Sequence, residues 1–201
     1  MKQHLRIAVL ASHGGSNLQA LIDGCASGQI DGEIVLVVSN NKKAFALERA
    51  RNHHIDTLIM TDSAFATPEE YALELLMQLE RRGVNLICLA GYMKRIPESV
   101  VKKFRNRIVN IHPALLPKHG GKGMFGIHVH QSVIAAGERE TGVTIHLVNE
   151  VYDDGKIIAQ RKVPVNSGDT PQALQERVLE LEHQLYPETV ARIAAGEISL
   201  E

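Results

Sequence analysis

Short runs of aliphatic and β-branched residues alternate along the chain with longer stretches in which apolar positions recur every third or fourth residue. The short runs predict strands at residues 5–11, 33–39, 57–60, 85–89 and 108–111. Each is almost continuously apolar, as strands are when helices cover both faces of a parallel sheet. The longer stretches predict helices near residues 17–26, 43–53, 68–82 and 97–104. Thr67-Pro68-Glu69-Glu70 is a helix start in its own right. It offers a hydroxyl cap, a proline whose missing N–H costs nothing in the first turn, and acids beside the positive dipole end. Strand–helix alternation of this kind predicts βαβ units.

After Pro113 the pattern changes. His119-Gly120-Gly121-Lys122-Gly123 and Phe125-Gly126 predict a mobile loop, since so many glycines leave the backbone without a preferred conformation. Residues 144–148 and 156–163 bracket a turn at Asp153-Asp154-Gly155 and predict an antiparallel hairpin. A last helix starts at Thr170-Pro171, with Leu174, Val178, Leu181 and Leu185 at helical spacing. Repeats and interdomain linkers are absent from the pattern, so a single α/β domain over residues 1–201 is expected.

Composition narrows the class. The 201 residues are 44% hydrophobic and 22% charged, as in a soluble domain with a full core. A net charge of -1 argues against nucleic acid or an anionic membrane as partner. The apolar run at residues 7–11 is too short for a signal peptide, and Ser12-His13-Gly14 is a poor cleavage site, so a buried first strand is expected. No apolar stretch approaches a membrane span. Cys25 and Cys88 fall within predicted elements without metal or redox spacing, which suits a reducing cytoplasm.

Candidate chemistry lies at the predicted strand ends. Ser12-His13-Gly14-Gly15-Ser16-Asn17 joins the first strand to the first helix. Its glycines let a ligand approach the backbone, and a helix N-terminus presents free N–H groups, which together suit a phosphate. A tight turn with an N-cap is an equal alternative. It is neither a dinucleotide fingerprint, lacking G-x-G-x-x-G, nor a P-loop, lacking Gly-Lys-Ser/Thr. Asn110 and His112 stand two apart on a strand, so their side chains share a face until Pro113 turns the chain away. A strand-end Asn and His satisfied by backbone groups would look the same, and Asp153-Asp154-Gly155 is ordinary hairpin chemistry. His119, His128, His130 and His146 lack the spacing of a metal site, so no metal is expected. A serine-hydrolase elbow is missing as well.

Taken in order, four segments carry a resemblance: Gly14-Gly15-Ser16-Asn17-Leu18-Gln19, Leu89-Ala90-Gly91-Tyr92-Met93, Asn110-Ile111-His112-Pro113-Ala114-Leu115-Leu116-Pro117, and Asp153-Asp154-Gly155 followed by Gln160. Together they closely resemble the phosphoribosylglycinamide formyltransferases over essentially the whole chain. The Asn-x-His-Pro-x-Leu-Leu-Pro segment is specific to formyltransferases and related folate enzymes. The resemblance implies a Rossmann-like, mostly parallel twisted sheet with helices on both faces and a C-terminal antiparallel hairpin. It implies transfer of a formyl group from 10-formyltetrahydrofolate, as co-substrate, to the amine of glycinamide ribonucleotide in purine synthesis. The catalytic positions would be Asn110, His112 and Asp153, and Gly14, Gly15, Ser16 and Asn17 would hold the phosphate. Glu182 matches a ribose contact. Tyr92, Met93, Lys94, Arg95 and Ile96, with Asn149, Glu150, Val151 and Tyr152, would line the folate pocket. A cis peptide is implied before Pro117.

The residue chemistry is compatible. Amine attack on a formyl carbon creates an oxyanion that the Asn110 amide can stabilise. Asp153 would favour a protonated His112, which could also donate, and the proton would pass through His112 or water. The sequence departs from the pattern in places. His13 stands where a glycine is usual, which requires its backbone to avoid positive φ. Lys94-Arg95 replaces a single arginine, leaving open which lines the folate site. The glycine-rich loop through Gly126, longer than in many relatives, reads as a lid over the substrate. The related methionyl-tRNA formyltransferases carry a further basic C-terminal domain and the formyltetrahydrofolate hydrolases an N-terminal regulatory one, so neither is expected from this sequence. A non-catalytic binding protein is expected to lose one of the three catalytic residues, and all are present. A monomer or weak homodimer is expected.

Overall fold

In the computed structural model, which describes residues 2–200, the chain runs β1 (Leu5–Leu10), α1 (Ser16–Ala26), β2 (Gly32–Ser39), α2 (Phe45–Asn52), β3 (Thr57–Ile59), α3 (Pro68–Arg81), β4 (Leu86–Leu89), α4 (Glu98–Lys103), β5 (Ile108–His112), α5 (Ile127–Ala135), β6 (Glu140–Leu147), β7 (Ile157–Pro164) and α6 (Pro171–Ala194). The two end residues of the expected 1–201 domain lie outside the described residues. One sheet takes the order β3-β2-β1-β4-β5-β6-β7. Pairing is parallel from β3 to β5 and antiparallel from β5 to β7, as the expected mostly parallel sheet with a terminal hairpin requires.

Strand periodicity divides the apolar residues between two layers. In β1, Leu5, Ile7 and Val9 join the cluster beneath α1, α2 and α6, while Ala8 and Leu10 join the cluster beneath α3 and α4. β4 splits the same way, with Leu86 and Cys88 on one face and Ile87 and Leu89 on the other. Burying each Leu, Ile or Val of these rows stabilises the fold by about 1.5–3 kcal/mol, which is why a continuous apolar run is needed wherever both faces are covered. In β5, Val109 and Ile111 face the α6 side, so Ile108, Asn110 and His112 share the opposite face. The apolar member of that row sits under α4, and the polar ones come last, where the helices stop.

The helix starts follow their sequence signals. Thr67 accepts the N–H of Glu70 at 3.1 Å, and Thr170 accepts that of Ala173 at 3.1 Å, each with a proline next in line. Two elements differ from expectation. β6 begins at Glu140 rather than at residue 144, and α5 follows the glycine-rich loop where no helix was expected.

The chain leaves β1 toward β2 on one side and reaches β4 on the other, so a crevice opens at the carboxyl ends of β1 and β4. Open α/β sheets bind ligands at such a switch point.

Candidate active site

Ser12, at the end of β1, ties three strand ends together. Its N–H donates to the Gly91 carbonyl at 3.1 Å, its hydroxyl donates to Asn40 Oδ1 at 2.5 Å, and the same oxygen accepts the Met93 N–H at 2.8 Å. The glycine loop follows directly. Gly15 takes φ 69, the left-handed turn that α1 starts from, and a Cβ there would lie 2.7 Å from the Cβ of Ala46. His13 stays out of the left-handed region, as its side chain requires. The tight turn is present but a side-chain cap is not, and the first turn of α1 holds no acid. Its leading N–H groups therefore remain available to an anion. Beside them, Arg49 Nε donates to the Gly14 carbonyl at 2.9 Å.

Asn110 and His112 project side by side from the end of β5, and β6 supplies their neighbours. Asn110 lies directly across from His146 and His112 from Thr144. His146 Nδ1 donates to the Leu147 carbonyl at 2.8 Å, which leaves Nε2 to accept from Asn110 Nδ2 at 3.1 Å. Thr144 Oγ1 donates to the Ala114 carbonyl at 2.6 Å and accepts from Leu116 N–H and Gln160 Nε2. That knot holds the corner through which the chain leaves the strand, where Leu116-Pro117 is cis, as the resemblance implied.

Asp153 reaches the same spot from the loop between β6 and β7. It adopts φ 54, a backbone region that aspartate tolerates better than most residues but that usually has to be held. Its Oδ2 stands 3.7 Å from His112 Nδ1 and accepts the Gly121 N–H at 2.9 Å, and its Oδ1 is 3.5 Å from His146 Nε2. Burial pushes the Asp153 carboxyl up, but His146, His112 and the Gly121 N–H together outweigh it and leave it below the ordinary carboxylate range. His112 is almost fully buried, and this desolvation lowers its pKa. Asp153 and the His119 carbonyl push the other way, as expected of Asp153, but with less effect. The balance favours the neutral form of His112 and the ionised form of Asp153, rather than the protonated His112 expected from the sequence. His112 Nε2 donates to the His119 carbonyl at 2.9 Å.

These side chains line a cavity of about 300 Å³. Asn110, His112 and Asp153 all border it, as do all nine residues expected at a folate pocket: Tyr92, Met93, Lys94, Arg95, Ile96, Asn149, Glu150, Val151 and Tyr152. Both basic candidates reach it, with different partners. Lys94 pairs with Asp62 on the far side, whereas Arg95 donates to the Glu150 carbonyl and so joins the two pocket walls. Exposed Met93, Phe125, Val151 and Tyr152 form an apolar rim. Of the glycine loop, only Asn17 lines the cavity; Gly14, Gly15 and Ser16 do not.

Asn17 Nδ2 donates to Glu182 Oε2 at 2.6 Å, and its own Oδ1 is buried without a partner. Burial raises the Glu182 carboxyl to about 7, against a smaller lowering by Asn17. His130, on α5, also borders the cavity; burial, then His112, lower it to about 4. The histidine pattern alone singles out neither His130 nor His146. Only the pairing of β6 with β5 brings His146 onto Asn110. Among the described residues no group of three or more His, Cys, Asp or Glu could hold a metal ion.

Known proteins match this chain along its length. The profile of the formyl transferase family matches residues 5–190. The chain is 44% identical over 194 residues to the chloroplastic phosphoribosylglycinamide formyltransferase of Arabidopsis thaliana, covering 96% of itself but 66% of that relative, just under two thirds of its length. With the phosphoribosylglycinamide formyltransferase of Escherichia coli (strain K12) it shares 38% identity over 196 residues, covering 98% of itself and 90% of the relative. The crystal structure of glycinamide ribonucleotide transformylase 1 from Symbiobacterium toebii is similar with a TM-score of 0.92 at 39% identity, over 98% of this chain and 91% of that one.

Proposed function

The chain belongs to the formyl transferase family, and from that premise we propose that it transfers the formyl group of 10-formyltetrahydrofolate to the amine of glycinamide ribonucleotide. One observation carries the reading: Asn110, His112 and Asp153 converge on one wall of a cavity whose other walls suit the two substrates.

The site divides by chemistry. Gly14, Gly15, Ser16 and Asn17 at the start of α1 receive the phosphate, and Glu182 receives the ribose hydroxyls. The substrate amine then lies toward β5. The folate stacks between Tyr92–Met93–Lys94–Arg95–Ile96 and Asn149–Glu150–Val151–Tyr152, under the rim of apolar side chains. Attack by the amine forms a C–N bond and turns the formyl oxygen into an oxyanion. His146 takes one amide hydrogen of Asn110, and the other is free to donate to that oxygen. His112 accepts the ammonium proton on Nδ1, and the imidazolium so formed is stabilised by Asp153. Return of the proton to the folate nitrogen accompanies cleavage of its bond to the formyl carbon. Tetrahydrofolate leaves, and His112 is neutral again.

The loop after Gly121 acts as a lid over the bound substrates. The oligomeric state we propose is a monomer or weak homodimer. Cys25 and Cys88 are free thiols, in keeping with the cytoplasm.

The test mixes the protein with 10-formyltetrahydrofolate and glycinamide ribonucleotide and follows release of tetrahydrofolate. Release that depends on the ribonucleotide is expected. Release without it would make the protein a hydrolase, and no release would make it a binding protein.

A further inference from the structure

We infer that His119-Gly120-Gly121 is a positioning clamp that selects the working tautomer of His112, an assignment that rests on reading His112 and Asp153 as the proton-handling pair. The segment touches both partners at once. The His119 carbonyl accepts the Nε2–H of His112 at 2.9 Å, and the Gly121 N–H donates to Asp153 Oδ2 at 2.9 Å. Between them Gly120 packs so closely that a Cβ would stand 2.5 Å from Leu116 Cδ2 and 3.2 Å from the Cβ of Asp153.

A carbonyl can only accept, so its bond to His112 requires the proton on Nε2. In the neutral ring this leaves Nδ1 bare, 3.7 Å from Asp153 Oδ2. The carboxylate by itself favours the opposite arrangement, because it would draw the ring proton onto Nδ1 and leave no base facing it. The clamp opposes that pull. It keeps Nδ1 open for the incoming amine proton, and Asp153 is then engaged only after the proton arrives. The second partner of a histidine commonly sets which nitrogen works.

The His119 backbone that presents this carbonyl to His112 is left-handed, with φ 55. A residue with a Cβ stays there when its side chain is held. The ring is held by one hydrogen bond, its Nδ1 lying 2.8 Å from Ser132 Oγ on α5, while its buried Nε2 has no hydrogen-bond partner and sits 3.5 Å from Glu138 Oε1 just beyond that helix. The helix α5 therefore anchors the clamp from behind.

Imidazole ¹⁵N shifts of histidine-labelled protein read the tautomer without any turnover. The unmodified protein is expected to carry the proton on Nε2 of His112; a proton on Nδ1 overturns the clamp. His119→Val disfavours positive φ, and is expected to move the proton toward Nδ1 and lower kcat about 10- to 100-fold, a partial loss of the roughly 100- to 10,000-fold that a positioned acid–base group contributes. KM for the ribonucleotide should change less than about 3-fold, since no substrate contact is lost. His119→Asn, which tolerates the left-handed region, is expected to restore the Nε2 tautomer and most of the lost kcat. An Nε2 proton retained in His119→Val, or no rescue by His119→Asn, overturns the clamp. His112→Ala separates the two claims: normal turnover in that variant refutes the catalytic reading, while the ¹⁵N shifts of the unmodified protein judge the clamp alone.

Discussion

Asn110 has two amide hydrogens, and one of them is already committed to His146. Asn110→Ala should therefore remove a single oxyanion donor and lower kcat about 100- to 1,000-fold, with an unchanged unfolding midpoint as the control for folding. Asp153→Ala should be at least as severe, since it also leaves the imidazolium unpaired in a buried site; near-normal turnover would remove Asp153 from the mechanism. The pH profile carries a sign of its own. Because His112 must be neutral to accept a proton, kcat should fall as pH falls through its pKa, which burial holds below the ordinary value of about 6.5. Asp153→Asn takes away the main upward influence, so the acid limb should move to still lower pH. An acid limb that moves upward would contradict the assignment. At this scale the sequence was partly legible. Spacing by two puts Asn110 and His112 on one face, whereas Asp153 looks like any turn aspartate until the hairpin folds it back against His112. His146 gives no local signal at all, because its partner is fixed by sheet pairing rather than by neighbours in the chain.

Among the elements, the strands and helices around the parallel sheet were readable because their burial is periodic and their caps are local. The two that were not readable have physical causes. α5 is preceded by Gly126, with φ 53 and ψ -135 and no side-chain cap, and its residues Ile127, Val129, Val133 and Ile134 are β-branched and weak helix formers. Its buried positions Val129 and Val133 do keep helical spacing, but only tertiary packing on α6 makes that decisive. β6 was cut short by Gly142, which discourages a strand reading. The glycine is needed because a Cβ there would lie 2.0 Å from the Arg161 carbonyl of the neighbouring strand. The lid also belongs to this scale. Lys122 and Gly123 are exposed, so trypsin should cut after Lys122 in the free protein. Ribonucleotide with a folate analogue should slow that cut several-fold, and equal cutting with and without them would end the lid interpretation.

For the molecule as a whole, Glu182 links the site to stability. It is almost fully buried on α6, and its carboxyl is raised to about 7 from an ordinary 4.5. An acid held this way contributes stability that is fully present below pH about 4.5 and is lost as pH rises through 7, about 3 kcal/mol in all. Glu182→Gln keeps an oxygen for Asn17 and cannot ionise. Its urea midpoint should match the parent near pH 4.5 and exceed it at pH 8; a variant less stable than the parent at pH 8 would refute the buried-charge account. The order of the sheet has another consequence. β5 is parallel to β4 and antiparallel to β6, and Asn110 meets His146 because of that second register. A slip of one residue would bring Ile145 or Leu147 opposite Asn110 and turn His146 to the other face. Such a chain could keep its helices and its far-UV spectrum while losing its chemistry. Specific activity after refolding thus counts the molecules in which β6 has paired with β5 in the right register, which makes turnover a proofreading signal for a folding step that bulk secondary structure does not register.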